Sequence, residues 1–251
     1  MTFKISKYLK IIHLFFSFRP ILFFNKIFWF FSQLLKFNLQ KNTNFKKVHL
    51  YPCFFDNSST HEIDPTYFFQ DSWAAKHIFN LKPSHHFDVG SSAKTLGILS
   101  QFVPLTMIDI RPLELELPNL FFTKGSILEL PYEDNSIESL SSLCVVEHIG
   151  LGRYGDSIDS FGSEKAINEL KRVLKKGGVI LFSVPVDREN KIYFNAHRSF
   201  TRDYILKLFD GFEILEEKYH YGTKMYDNYD PIKGFGTGLF MLKKTSYVHK
   251  N

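Results

Sequence analysis

The residues best placed to do chemistry begin at HHFDVGSSAKTLGILS, positions 85–100. An acid, Asp88, ends a short apolar run; Gly90 follows, then Ser91 and Ser92, then a helical pattern. A second acid, Asp109, closes the next apolar run 21 residues later. In an adenosine-binding cradle the glycine makes the tight strand-to-helix turn. An acid about 20 residues further on accepts hydrogen bonds from ribose hydroxyls. Hydrogen bonds to a charged group contribute roughly 1.5–3 kcal/mol. The plain alternative is an aspartate that only opens the turn before Arg111-Pro112.

The glycine pattern discriminates between cofactors. G-x-G-x-x-G lets the backbone approach a pyrophosphate. Here Gly90 fills the first glycine position, Ser92 the second and Thr95 the third. That counts against a dinucleotide and an NAD-dependent oxidoreductase. S-adenosylmethionine carries no phosphate and needs a tight turn with room for its methionine end. Gly90 with the small Ser91, Ser92 and Ala93 supplies both.

These residues need a scaffold, and from residue 62 apolar runs alternate with helical periodicities. Strands are predicted over His85–Val89, Leu105–Ile110, Leu120–Lys124, Ile137–Val146, Val179–Val184, Phe212–His220 and Phe235–Lys243. Helices are predicted over Tyr67–Phe79, Ala93–Phe102 and Ser163–Lys176, with another after Thr201. Ser163 reads as an N-cap and Gly177 as a stop. The alternation implies a parallel sheet with right-handed crossovers, and ligands bind at the carboxyl ends of its strands. Two histidines fall at that edge: His148 in Val146-Glu147-His148-Ile149, and His197 in Asn195-Ala196-His197-Arg198.

DVGSSA, MIDI, KGSILELPYEDNSIESLSSLCVVEHIG and AINELKRVLKKGGVILFSVP together resemble successive motifs of class I S-adenosylmethionine-dependent methyltransferases, over about residues 60–245. More narrowly, YFFQDSWAA, VVEHIGLGRYGDSID and FNAHRSFT resemble a methyltransferase-like family of unknown function. The resemblance implies an α/β, Rossmann-like fold: a mostly parallel seven-stranded sheet with a terminal antiparallel hairpin, preceded by a helical aromatic arm. It implies S-adenosylmethionine as cofactor, held by Asp88, Gly90, Ser92, Asp109, Ser126, Ile127 and Glu147. It also implies that the helix from Tyr67 to Trp73 covers the cofactor; core packing is the alternative. The family usually has an acid beside the adenine where this chain has Ser126, so the serine hydroxyl or backbone groups near Ile127 would take that place. The connection from Asp109 to the next strand is too short for a full helix.

Methyl transfer to a hydroxyl requires alignment and removal of a proton. Histidine is the usual base near neutral pH, so His148 and His197 are the candidate catalytic residues. Each could instead only order its loop. Glu147 could orient His148 or meet the cofactor's methionine end. The loop GLGRYGDSIDSFG, 150–162, reads as a lid or as a flexible connector. No metal site is expected: Asp156 and Asp159 are too few, and His85-His86 reads as edge packing. The expected activity is O-methylation of a small or glycan-type acceptor. The alternative is a non-catalytic binding or scaffold protein on the same fold.

Charge divides the chain. Residues 1–50 hold nine Lys and Arg and no Asp or Glu, so the remainder carries 31 − 9 = 22 basic and 26 acidic residues. The body's net −4 argues against nucleic acid as partner. Residues 1–40 form a basic aromatic arm, 41–60 a linker and 61–251 the cofactor-binding domain. The arm's apolar runs, 11–18, 21–24 and 27–31, are interrupted by Arg19, Pro20, Asn25 and Lys26. A membrane span therefore fits poorly. No small-residue cleavage site follows Phe18, so a secretory signal fits poorly too. The arm reads as a segment in the plane of a membrane surface or as a packing helix. A cytoplasmic protein, peripheral at the inner membrane face, is expected. Cys53 and Cys144 form no CxxC pair, which agrees with a reducing compartment, and Cys144 reads as a small core residue.

Overall fold

The computed structural model describes residues 20–40, 47–54 and 56–245. The chain divides into two compact units, Met1–Glu62 and Ile63–Asn251. In the first, helix α1 spans Pro20–Leu39. The run at 11–18 and part of the predicted linker lie outside the described residues. Among the described residues, no helix is long and apolar enough to cross a membrane.

The second unit opens with α2 (Pro65–Leu81), whose start is set by Pro65 in its first turn and by Asp64, which accepts from Thr66 N at 2.9 Å. Then follow β1 (His86–Val89), α3 (Ala93–Leu99), β2 (Leu105–Asp109), β3 (Leu120–Lys124) and β4 (Ile137–Leu143). After a 3₁₀ turn at Val146–His148 come α4 (Gly162–Val173) and β5 (Leu174–Val186). The chain ends with the hairpin β6 (Lys191–Tyr193) and β7 (His197–Ser199), α5 (Arg202–Leu208), β8 (Phe212–Tyr221), β9 (Lys224–Tyr226) and β10 (Gly236–Lys244).

The main sheet has the order β3-β2-β1-β4-β5-β10-β8-β9. Its first five strands are parallel and the last three antiparallel. This is the expected architecture with one correction: the sheet has eight strands, not seven. The three-residue β9 turns back at Gly222 (φ 59) and pairs with β8. Helices cover both faces. Ala166, Ile167, Leu170 and Val173 of α4 and Ile205 of α5 pack with Ile108, Leu140, Phe182 and Phe240. Trp73, Ala74 and Ile78 of α2 and Leu96 and Leu99 of α3 pack with Leu105, Met107, Leu181 and Leu239.

Several boundaries move, each for a local reason. β4 stops at Leu143, not Val146, because Cys144 turns to φ 54. Ser163 is not an N-cap: its hydroxyl donates to Val146 O at 2.7 Å, and the helix begins one residue earlier. A glycine is needed at 162 because the chain passes close to Ile149, whose carbonyl oxygen a Cβ there would meet at 2.4 Å. α4 ends at Val173, where Leu174 turns extended (ψ 127) and pairs with Ile137. Lys175 and Lys176 thus belong to β5, which bulges before Val179. β5 also runs through Pro185, whose carbonyl accepts from Phe200 N at 3.0 Å and which needs no N–H there. α3 ends at Leu99, where Ser100 Oγ donates to Gly97 O. No helix lies between β2 and β3.

Candidate functional site

The strand order reverses between β1 and β4, the position where open α/β sheets bind ligands. Gly90 turns the chain out of β1 with φ 76. A Cβ there would stand 2.8 Å from Val145 Cγ1, in a backbone conformation that L side chains avoid. Asp88 holds this turn from beneath. Its carboxylate accepts from Ser91 N at 3.0 Å, from Ser91 Oγ at 2.7 Å and from Ser141 Oγ. Burial pushes its carboxyl up to about 6, against the pull of these hydrogen bonds. Asp88 shapes the turn and does not line the cleft. Gly90→Ala is expected to cost about 1–3 kcal/mol, read as a lower urea midpoint; an unchanged midpoint would show that the turn tolerates a side chain.

Below Asp88, His86 is fully buried, with Nδ1 2.7 Å from Ser139 Oγ and Nε2 2.9 Å from Ser141 Oγ. Burial lowers its pKa to about 3, so the ring is neutral. This corrects the edge-packing expectation for His86: β1 runs through the middle of the sheet, between β2 and β4. His85 does pack against aromatic rings, stacking on Phe121 and lying tilted against Phe87.

Above the turn lies a cleft of about 660 Å³. Of the predicted site residues, Gly90, Ser92, Asp109, Ser126, Ile127 and His148 line it. Asp109 closes β2, and both its oxygens are engaged by Arg111: N at 2.8 Å and Nε at 3.2 Å on Oδ1, Nη2 at 3.1 Å on Oδ2. The Arg111 guanidinium lies 5.0 Å from the centre of the Tyr154 ring, and both residues line the cleft. Ser126 Oγ accepts from Leu128 N at 3.2 Å. Met107, Ile108, Ile110 and Leu128 make the wall near Asp109 apolar. Ser92 stands at the start of α3, and its hydroxyl makes no cap.

On the opposite side, Cys144 also lines the cleft, which corrects its reading as a core residue; burial pushes its thiol up. Glu147 is 1% exposed and does not line the cleft. Burial pushes its carboxyl up to about 8, and Oε2 has no partner. Its Oε1 stands 3.7 Å from His148 Nε2. A carbonyl only accepts, so the 2.6 Å contact between His148 Nδ1 and Ala196 O puts a proton on Nδ1. Nε2 then carries the lone pair. Burial lowers the ring's pKa to about 4 and keeps it neutral. His197 does not line the cleft. It packs on Tyr193 and Phe235, with its ring centre 6.5 Å from that of His148.

The loop 150–162 is fastened at several points. Asp156 Oδ2 accepts from Gly150 N at 2.6 Å, and Asp159 N donates to Gly150 O at 3.0 Å. Arg198, buried on β7, donates through Nη1 to Ile149 O at 2.6 Å and through Nη2 to Asp159 O at 3.0 Å. The Asp156 carboxylate serves the backbone, that of Asp159 accepts from Phe161 N and Lys165 Nζ, and among the described residues no group of His, Cys, Asp and Glu is placed to hold a metal ion. Arg198 and Arg111 were not expected from the sequence. Arg111 lies two residues after a candidate acid, a spacing that could have signalled it. Arg198 reaches its partners from 39–49 residues away, and no local pattern marks it.

Residues 131–229 match the family described as "Caenorhabditis protein of unknown function, DUF268". No curated protein matches this chain. Among solved structures, the chain is similar to the 1,6-didemethyltoxoflavin-N1-methyltransferase of Burkholderia thailandensis, at 15% identity and a TM-score of 0.50, over 72% of this chain and 84% of that one. It is also similar to a proposed sarcosine dimethylglycine methyltransferase from Galdieria sulphuraria, at 15% identity and a TM-score of 0.53, over 72% and 86%. The YcgJ protein of Bacillus subtilis aligns at 14% identity and a TM-score of 0.51, over 72% and 100%. At such identities the likeness concerns the fold, and the fold of this chain is the Rossmann-like α/β fold of these methyltransferase structures.

Proposed function

We propose that the chain is an S-adenosylmethionine-dependent methyltransferase. The observation that carries this reading is the cleft at the carboxyl ends of β1–β4, with the Gly90 turn and the Asp109 carboxylate both on its wall. The Burkholderia thailandensis protein, which shares the fold, was crystallised with S-adenosylhomocysteine.

The residues present fit such a cofactor. Gly90 and the small Ser91, Ser92 and Ala93 leave the cleft free of bulk at the turn. Asp109 Oδ2 accepts only one bond from Arg111 and retains a lone pair, so it can accept from a ribose hydroxyl. Ile108, Ile127 and Leu128 offer an apolar wall for a base, and Ser126 a hydroxyl at its edge. When bound, S-adenosylmethionine supplies a methyl group activated by a sulfonium. His148 Nε2 takes the acceptor's proton. A small or glycan-type acceptor carried on lipid, at the cytoplasmic face of a membrane, agrees with the basic arm.

Calorimetric titration with S-adenosylmethionine tests the reading. Asp109→Ala is expected to weaken binding about 10- to 100-fold. No heat from the parent, or equal affinity in the variant, would sink it. Binding without turnover on any acceptor would assign the non-catalytic role that the low basicity of His148 favours.

A further inference from the structure

Helix α1 has two apolar faces with different surroundings. On one, Phe23 and Phe30 pack on Phe54 of the following segment, with ring centres 6.4 and 5.5 Å apart. Lys26 Nζ fastens the same segment by donating to Asn57 O at 3.1 Å. The other face carries Phe24, Phe28, Phe31, Leu35 and Leu39. At 3.6 residues per turn this spacing confines them to an arc of about 80°. All five are between 50% and 83% exposed. Phe54 thus fixes which side of the helix is covered and which is offered outward.

Charge selects the occupant of that stripe. The first 50 residues carry nine Lys and Arg and no acid, so a second copy would bring like charge against like charge. Anionic lipid headgroups complement it. Helix α1 is not apolar enough to span. We infer that α1 lies in the plane of an anionic membrane surface, with the Phe24–Phe28–Phe31–Leu35–Leu39 stripe sunk below the headgroups and the net positive charge of residues 1–50 drawing the segment to them. The inference deepens the placement at a membrane face and does not depend on the chemistry of the cleft.

The test is co-sedimentation of the full chain with vesicles of phosphatidylcholine, with or without phosphatidylglycerol. Binding is expected to be at least about tenfold tighter on the anionic vesicles and to fall with salt. Phe24→Gln, Phe28→Gln and Phe31→Gln combined are expected to lower it a further tenfold or so. These side chains are exposed, so melting temperature and cofactor heat should match the parent. Equal binding by variant and parent, or no binding to either vesicle, would overturn the inference. A lipid-free dimer that the triple variant dissociates would also overturn it and assign the stripe to a second copy. Cofactor titration reads the cleft separately, so failure of one reading leaves the other standing.

Discussion

Between about pH 6.5 and 8 the Glu147 carboxyl is expected to cost the protein roughly 1.5 kcal/mol of stability, and Glu147→Gln is expected to remove that contribution. The sign follows from burial. Glu147 titrates at about 8 in the fold against 4.5 when unfolded. Over that interval the folded state holds a proton that the unfolded chain has released, so stability falls as pH rises. Six histidines oppose this trend. Burial lowers His77, His85, His86, His148, His197 and His220, so they stay neutral in the fold while the unfolded chain protonates. Asp88, raised to about 6, adds to the falling side. The Glu147→Gln variant keeps all of these groups, so the difference between parent and variant isolates Glu147. Glutamine keeps the shape without the charge. From pH 6.5 to 8 the thermal midpoint of the parent should fall, relative to that of the variant, by roughly 4 °C. Parallel curves would show that the Glu147 carboxyl is not held protonated in the fold.

The second large effect is expected at Arg198. Its guanidinium binds the carbonyls of Ile149 and Asp159 and the hydroxyl of Ser163. Arg198→Met keeps much of the volume, removes the donor to Ile149 O and leaves Asp159 O and Ser163 Oγ with one hydrogen bond fewer each. An unpaired buried polar group costs about 1–3 kcal/mol, so a loss of about 3 kcal/mol is expected, read as a lower urea midpoint. Tyr154, Gly155, Asp156 and Ser157 of the tethered loop line the cleft. Amide exchange over residues 150–162 should therefore quicken as well. A midpoint within experimental error of the parent would mean that the loop is held by Asp156 and its own backbone instead.

What could be read beforehand was what repeats locally. The strands β2 and β3 and the start of α3 follow from apolar runs that end at an acid, a glycine or a serine. Asp109, Gly90 and Ser126 reached the cleft because the carboxyl ends of parallel strands converge there by topology alone. Asp88 and Glu147 were harder. Asp88 lies near the end of β1 and Glu147 in the 3₁₀ turn after β4, yet both are buried away from the cleft. The difference lies in a serine hydroxyl 53 residues away for one and in near-complete burial for the other. Ser163 looked like a cap because its type and position suit one. A carbonyl 17 residues upstream claimed its hydroxyl instead.

The row of polar groups under the Gly90 turn bears on how the chain finds its fold. Ser139, His86, Ser141 and Asp88 join β1 to β4 in the middle of the sheet, with Asp88 directly opposite Ser141. A slip by one residue would turn these side chains to the other face and strand each of them without a partner. Apolar neighbours would forgive such a slip far more readily. The buried histidine and aspartate therefore act as a proofreading device: the two strands can settle at only one alignment, the one that also places the turn.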